Sequence, residues 1–301
     1  MELRLGINTC FAVKRWPRPE DWGPIVRDRL GLRLVQHSFD LVDPGADDPA
    51  AFRAAAGQAG LDVTSTFTGL AAYSGNLLLH PDGRSRAAAE SWFQWAISWT
   101  AAAGASATGG HVGAFSVADW ENPAARTGRW SDLCASLDRL ARVARRSGLE
   151  ALVVENLAAA REPSTMAMIR DLVTDGDAER VPVRLCLDVG HMCVPGTAGA
   201  DRDPYAWLQA MAPLTSQIQL QQSDVDGDHH WPFTPARNRE GRIDADRVID
   251  ALGVGEAGRL DLLLEIIPAF EQPDREVLDD LVATVDYWRE ALGRRGVLAA
   301  D

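Results

Sequence analysis

The stretch LVVENLAAAREP, residues 152–163, begins as a buried strand and ends on charge. Leu152, Val153 and Val154 are what a core strand needs. Glu155 and Asn156 are not, because an unpaired ionised carboxylate beside a core is very costly. The strand must therefore carry Glu155 to an end where something answers its charge. What that is depends on how many such strands the chain holds and where they finish.

Short apolar runs alternate with longer amphipathic ones along the whole sequence. Strands are expected at 3–9, 32–39, 62–68, 106–112, 151–156, 183–188, 218–222 and 261–267. Helices are expected between them, at 19–30, 49–59, 84–103, 130–147, 164–173, 204–212, 244–252 and 274–293. Ser131 reads as the cap of the fourth helix and Gly148 as its stop. Pro163 before Ser164, and Asp203-Pro204, mark two further helix starts. Eight strands, each followed by a helix, are the signature of a parallel sheet with crossover helices. Eight such units close into an α/β (β/α)₈ TIM barrel, here a single domain over residues 1–301. An open doubly wound sheet would carry a glycine-rich phosphate loop after its first strand, and Gly6-Ile7-Asn8 is not one.

Composition narrows the function. A net charge of -13 and a pI near 4.9 oppose a nucleic-acid partner, because phosphate binding needs clustered positive charge. The four cysteines, Cys10, Cys134, Cys186 and Cys193, form no CxxC pair and read as free thiols in a reducing compartment. MELRLGINTC has no basic region followed by a long apolar run, and no stretch approaches the ~20 apolar residues that span a bilayer. A cytoplasmic protein with no membrane partner is expected.

The late strands then share a pattern: apolar until the last residues, then an oxygen-rich side chain. They end in VVEN with Glu155, CLDVGH with Asp188 and His191, QIQLQQSD with Gln219 and Gln221, and LLLEIIP with Glu265. Any one of these alone reads as a helix cap, a salt bridge or a hydrogen-bonded histidine. Four adjacent strands delivering them to one barrel end is different. Three carboxylates crowded there repel unless protonated or bound to a cation. Glu155, Asp188, Gln221 and Glu265 form an all-oxygen, hard ligand set, which favours Mg²⁺ or Mn²⁺, with Co²⁺ as a further candidate.

At VVEN, DVGH, QLQQSDVDGDHH and LLLEI the chain resembles the xylose-isomerase-like sugar isomerase/epimerase superfamily, which includes ketose 3-epimerases and hydroxypyruvate isomerases. The resemblance implies metal ligands at Glu155, Asp188 and Glu265. It implies histidine at the third ligand position of ketose 3-epimerases, and glutamine in hydroxypyruvate isomerase-like members, as at Gln221 here. It also implies that Glu155 and Glu265 act as acid and base on a small ketose, sugar phosphate or sugar acid, through a metal-stabilised enediolate. Return of the proton to the opposite face gives epimerisation, and to the neighbouring carbon, isomerisation. A metal-dependent lyase decarboxylating a 3-oxo sugar acid is the alternative on the same scaffold.

His191, with His111 and His230, is expected to hold substrate oxygens. The long segment after strand seven adds Trp231 as a pocket wall, and Arg237, Arg239 and Arg242 as an anion clamp or a solvated charge run. Trp92, Trp95 and Trp99 recur at helical spacing, which fits a face packed on the barrel or the interface of a homo-oligomer.

Overall fold

The computed structural model describes residues 2–253 and 259–297. Eight parallel strands close into one barrel in sequence order: β1 Glu2–Asn8, β2 Leu34–Ser38, β3 Asp62–Phe67, β4 Ala107–Gly110, β5 Ala151–Glu155, β6 Val183–Asp188, β7 Thr215–Leu220 and β8 Arg259–Leu264. β8 pairs with β1 from Glu2↔Arg259 to Ile7↔Leu264, which completes the ring. This is the expected (β/α)₈ TIM barrel. β7 starts three residues earlier than expected, and Gln221 and Glu265 lie just beyond β7 and β8.

The helices are α1 Pro19–Pro24, α2 Pro49–Gln58, α3 Gly69–Gly75, α4 Gly83–Ala103, α5 Val117–Glu121, α6 Pro123–Ser147, α7 Met166–Leu172, α8 Pro204–Met211, α9 Arg237–Glu240, α10 Ala245–Ala251 and α11 Asp274–Arg295. Two of the expected starts are corrected. Ser131 lies inside α6 and does not cap it. Asn122 does, accepting from the N–H groups of Ala124 and Ala125, with Pro123 pre-set for the first turn. The α7 cap is Thr165 rather than the Pro163–Ser164 pair, its hydroxyl accepting from Met168 N–H. Asp203 caps α8 and Gly148 ends α6 in the left-handed region, both as expected.

The main core lies between the barrel's outer face and the helices. Trp92, Trp95 and Trp99 of α4 gather around Phe39, with ring centroids 5.5–5.6 Å away, so the tryptophan stripe packs on the barrel. One strand needs glycine. At Gly109 φ is +143°, and an added Cβ would lie 1.9 Å from the carbonyl oxygen of Val153, so β4 and β5 approach only without a side chain there. No helix among the described residues is long and apolar enough to cross a membrane.

Candidate active site

The C-terminal ends of the strands open into a cavity of about 350 Å³. Its lining includes Glu155, Glu265, His111, His191 and His230. It also includes Asp40, Glu162, Asp228, Tyr73 and Cys10, none of which has an expected role.

Local structure explains why the motifs read as they do. In VVEN, Asn156 clamps the neighbouring strand: its Nδ2 donates to the Asp188 carbonyl and its Oδ1 accepts from Asp188 N–H, both at 2.9 Å. In DVGH, Gly190 N–H donates to Asp188 Oδ1 at 2.6 Å. A Cβ on Gly190 would sit 2.4 Å from the Gln221 amide carbon, so this glycine makes room for Gln221. His191 turns back so that its Nδ1 meets the Asn156 carbonyl at 2.6 Å.

Amides from the barrel interior hold Glu265 in place. Asn8 Nδ2 and Gln219 Nε2 both donate to Glu265 Oε1, at 3.2 and 3.0 Å. Gln36 ties Asn8, Gln217 and Gln219 into one network. The other Glu265 oxygen, Oε2, is buried without a hydrogen-bond partner, and so are Glu155 Oε2 and Gln219 Oε1. Burial pushes Glu155 well above the usual carboxylate range, and the Asp188 and Asp228 charges push the same way. Burial also raises Glu265, followed by the charges of Asp188 and Glu155. Buried acceptors left unpaired in native proteins call for an explanation, and an ion is one of the few available. These oxygens, with Asp188 beside them, fit a hard divalent cation.

The histidines surround this group. His111 Nε2 lies 3.6 Å from Glu155 Oε2, and burial drops its pKa to about 3. Burial would lower His191 as well, but Asp188, Asp228 and Glu155 outweigh it and hold the ring well above its ordinary value. His230 has φ +49°, in the left-handed region. Burial works to raise Asp228, but His191 and His230 pull it far below the usual range.

The remaining expected site residues are placed as follows. Gln221 does not present its carbonyl oxygen to the carboxylates. That oxygen accepts from His230 N–H at 2.6 Å and from the Ser223 hydroxyl at 3.0 Å. A backbone N–H can only donate, which fixes the amide orientation and turns Nε2 toward Asp188 (3.1 Å) and Asp228 (2.8 Å). The free oxygen on this strand belongs to Gln219.

Secondly, Arg237, Arg239 and Arg242 do not line the cavity. Arg237 pairs with Glu240 at 2.8 Å and covers the Trp231 ring at 4.3 Å. Arg242 donates to the Arg202 carbonyl. The cause is the fold of the segment itself: Gln222 anchors it through Asn238 and Ile243. Thirdly, Trp231 is not among the residues that line the cavity; its ring stacks on His229 with centroids 3.9 Å apart.

Comparison with known proteins gives a consistent picture. A curated protein of Brucella abortus (strain 2308), D-erythrulose 1-phosphate 3-epimerase, is 28% identical over 96% of both chains. A crystal structure from Rhodospirillum rubrum ATCC 11170, named for xylose isomerase, is 35% identical with a TM-score of 0.86, covering 96% of this chain and 99% of that one. The D-psicose 3-epimerase of Clostridium cellulolyticum H10 shares the fold at 16% identity and a TM-score of 0.67, over 97% and 99% of the two chains. The family profile described as Xylose isomerase-like TIM barrel matches residues 28–281. This chain belongs to the xylose isomerase-like TIM barrel family.

Proposed function

We propose that this chain is a divalent-metal-dependent epimerase or isomerase of a small ketose, with Glu155 and Glu265 moving the proton. The observation that carries the reading is the pair of buried, unpartnered carboxylate oxygens, Glu155 Oε2 and Glu265 Oε2, facing one cavity from strands on different sides of it. The family and the epimerase names among its relatives support the reaction class.

A cation would be held by Glu155, Asp188 and Glu265, with Gln221, whose amide lies 3.1 Å from Asp188, as the fourth candidate ligand. When bound, it supplies electrostatic stabilisation to the negative charge that develops on the ketose oxygens during proton loss. Everything else falls to the chain. One glutamate accepts the proton from the hydroxyl-bearing carbon beside the carbonyl, and the other returns one. Delivery from the opposite side inverts that carbon. The amides of Asn8 and Gln219 fix Glu265 in orientation, so its free oxygen is aimed rather than mobile. His191 is steered by Asn156, and Glu162 and Asp40 offer acceptors to the hydroxyls of the distal part of the sugar. The decarboxylase alternative gains no support: among the described residues no lysine or arginine lines the cavity to receive a substrate carboxylate.

The test is a substrate panel with Mn²⁺-loaded protein: D-erythrulose 1-phosphate, D-psicose, D-tagatose and D-fructose. Epimer or aldose formation from at least one of them, abolished by chelation and restored by Mn²⁺, is expected. No new sugar from any of them, or turnover that survives chelation, contradicts the proposal.

A further inference from the structure

The barrel interior beneath Glu265 holds amides where branched aliphatic side chains are the ordinary choice. Asn8, Gln36, Gln217 and Gln219 are all buried, on β1, β2 and β7. A buried amide is costly unless its hydrogen bonds are made, so this packing calls for a reason.

The hydrogens can be counted without ambiguity. Cys10 N–H donates to Asn8 Oδ1 at 2.9 Å, and a backbone N–H can only donate, so the Asn8 amide has one orientation. Its Nδ2 therefore faces Gln36 Oε1 at 2.8 Å and Glu265 Oε1 at 3.2 Å. Gln219 Nε2 faces the same two oxygens, each at 3.0 Å. Each amide thus gives one hydrogen to Glu265 and the other to Gln36. Gln36 Oε1 is the counterpart of Glu265 Oε1 and holds both donors from behind. Its own orientation is set by Gln36 Nε2, which donates to Gln217 Oε1 at 2.9 Å.

The strand ladders carry an independent mark at the same level. Among the described ladders the register shifts between Val35 and Gln36 where β2 meets β3. It shifts again between Leu185 and Cys186 where β6 meets β7, and Cys186 is the pairing partner of Gln217. Bulges re-aim side chains and concentrate next to active sites. Here they fall at Gln36 and Gln217, the two glutamines that meet across the interior.

We propose that Gln36 is the positioning residue for Glu265, acting through Asn8 and Gln219 without touching substrate or cation. This rests on the part given to Glu265 in the proposed function. Without the Gln36 oxygen, both amides lose the acceptor that holds them, and each can turn away from Glu265. The glutamate then keeps its charge and its burial but loses its aim. Gln36 does not line the cavity, so contacts to the sugar itself are left in place.

The experiment compares Gln36→Met, which keeps the side-chain length and removes the acceptor, with a control. Thr108→Val breaks a buried 2.7 Å bond from Thr66 elsewhere in the barrel and reports the mere loss of a buried hydrogen bond. Circular dichroism confirms that each variant is folded. In crystal structures of the metal-free proteins, the Glu265 carboxylate should leave its wild-type position in Gln36→Met and keep it in Thr108→Val. Gln36→Met should also bind Mn²⁺ about tenfold more weakly and turn over about tenfold more slowly, with KM within about twofold, as loss of a ligand's supporting partner does. Gln36→Glu is the second variant: its protonated form offers both amides an oxygen and Gln217 an O–H, and it should recover most of both losses. A Glu265 carboxylate that stays in place in Gln36→Met, or Mn²⁺ affinity and kcat equal to those of Thr108→Val, overturns the proposal. A carboxylate that moves, in a protein whose wild type binds no Mn²⁺ and converts no sugar, upholds the positioning and removes the reading of the site instead.

Discussion

The two ends of the barrel treat buried carboxylates in opposite ways. At the N-terminal end, Asp261 is buried and Arg4, its register partner on β1, grips it through two hydrogen bonds of 2.8 and 2.9 Å, with Thr64 adding a third at 3.3 Å. Burial pushes the Asp261 carboxyl up and Arg4 works against that rise. At the C-terminal end, Glu155 and Glu265 are as deeply buried, yet each keeps an oxygen without a partner. One end uses a carboxylate to close the barrel. The other leaves carboxylates unanswered, which is destabilising unless a ligand completes them.

The largest effect expected from this contrast is on turnover. Glu155→Gln or Glu265→Gln should lower kcat by about 10²–10⁴-fold, the range of positioned acid/base groups, while the melting temperature holds or rises. Steady-state kinetics alongside thermal melts check both halves. Next comes metal. Mn²⁺ at 100 times its Kd should stabilise the wild type by about 2.7 kcal/mol in denaturant titrations. Gln221→Ala should lose more Mn²⁺ affinity than Gln219→Ala, which removes only a donor to Glu265, and the reverse order would take Gln221 out of the ligand set.

The opposite end should respond the other way round. Arg4→Met should cost about 1–3 kcal/mol of stability by stranding Asp261, with turnover within twofold of wild type. Adding Asp261→Asn should recover part of the loss, and a double-mutant cycle measures it.

The effect that is smallest at neutral pH concerns His37, buried between Trp22, Phe52 and Trp99 and held at a pKa of about 3 by that burial. The unfolded chain protonates this group near its ordinary value, so between about pH 6.5 and 3 the unfolded state binds more protons. Stability should fall with falling pH across that window by up to about 1.4 kcal/mol per unit from this residue. Denaturation curves at pH 6.5 and 5 should show a shallower slope in His37→Gln.

The barrel was legible because its signals are local and repeated. Runs such as LVVE and RLCLD alternate with capped amphipathic helices, and nothing in the tertiary structure overrides them. Glu155, Asp188, His191 and Glu265 were legible for the same reason, since a strand's last residues must reach the barrel end. Depth was not legible. Gln217, Gln219 and Gln221 share one face through the two-residue period, so the sequence cannot say which lies level with Glu265. The two ladders decide it: Gln219 pairs with Asp188 on one side and with Leu263 on the other, and Leu220 pairs with Leu264, which carries Gln221 level with Glu265. The arginines were misplaced for a non-local reason: Gln222 folds their segment by reaching Asn238 and Ile243, sixteen and twenty-one residues on. Asp228 was visible within DVDGDHH. Its approach to His191 depends on a loop geometry that spacing alone does not encode.

The most direct measurement of the central claim is solvent isotope exchange. Mn²⁺-loaded protein is run in D₂O on whichever ketose of the panel it converts, and deuterium beside the carbonyl is read by NMR. Wild type should place one deuterium on that carbon, or on the neighbouring carbon for isomerisation, and Glu155→Gln and Glu265→Gln should place none above background. Product that forms in D₂O with no deuterium at either carbon, or exchange that survives in both variants, would contradict proton transfer by this pair.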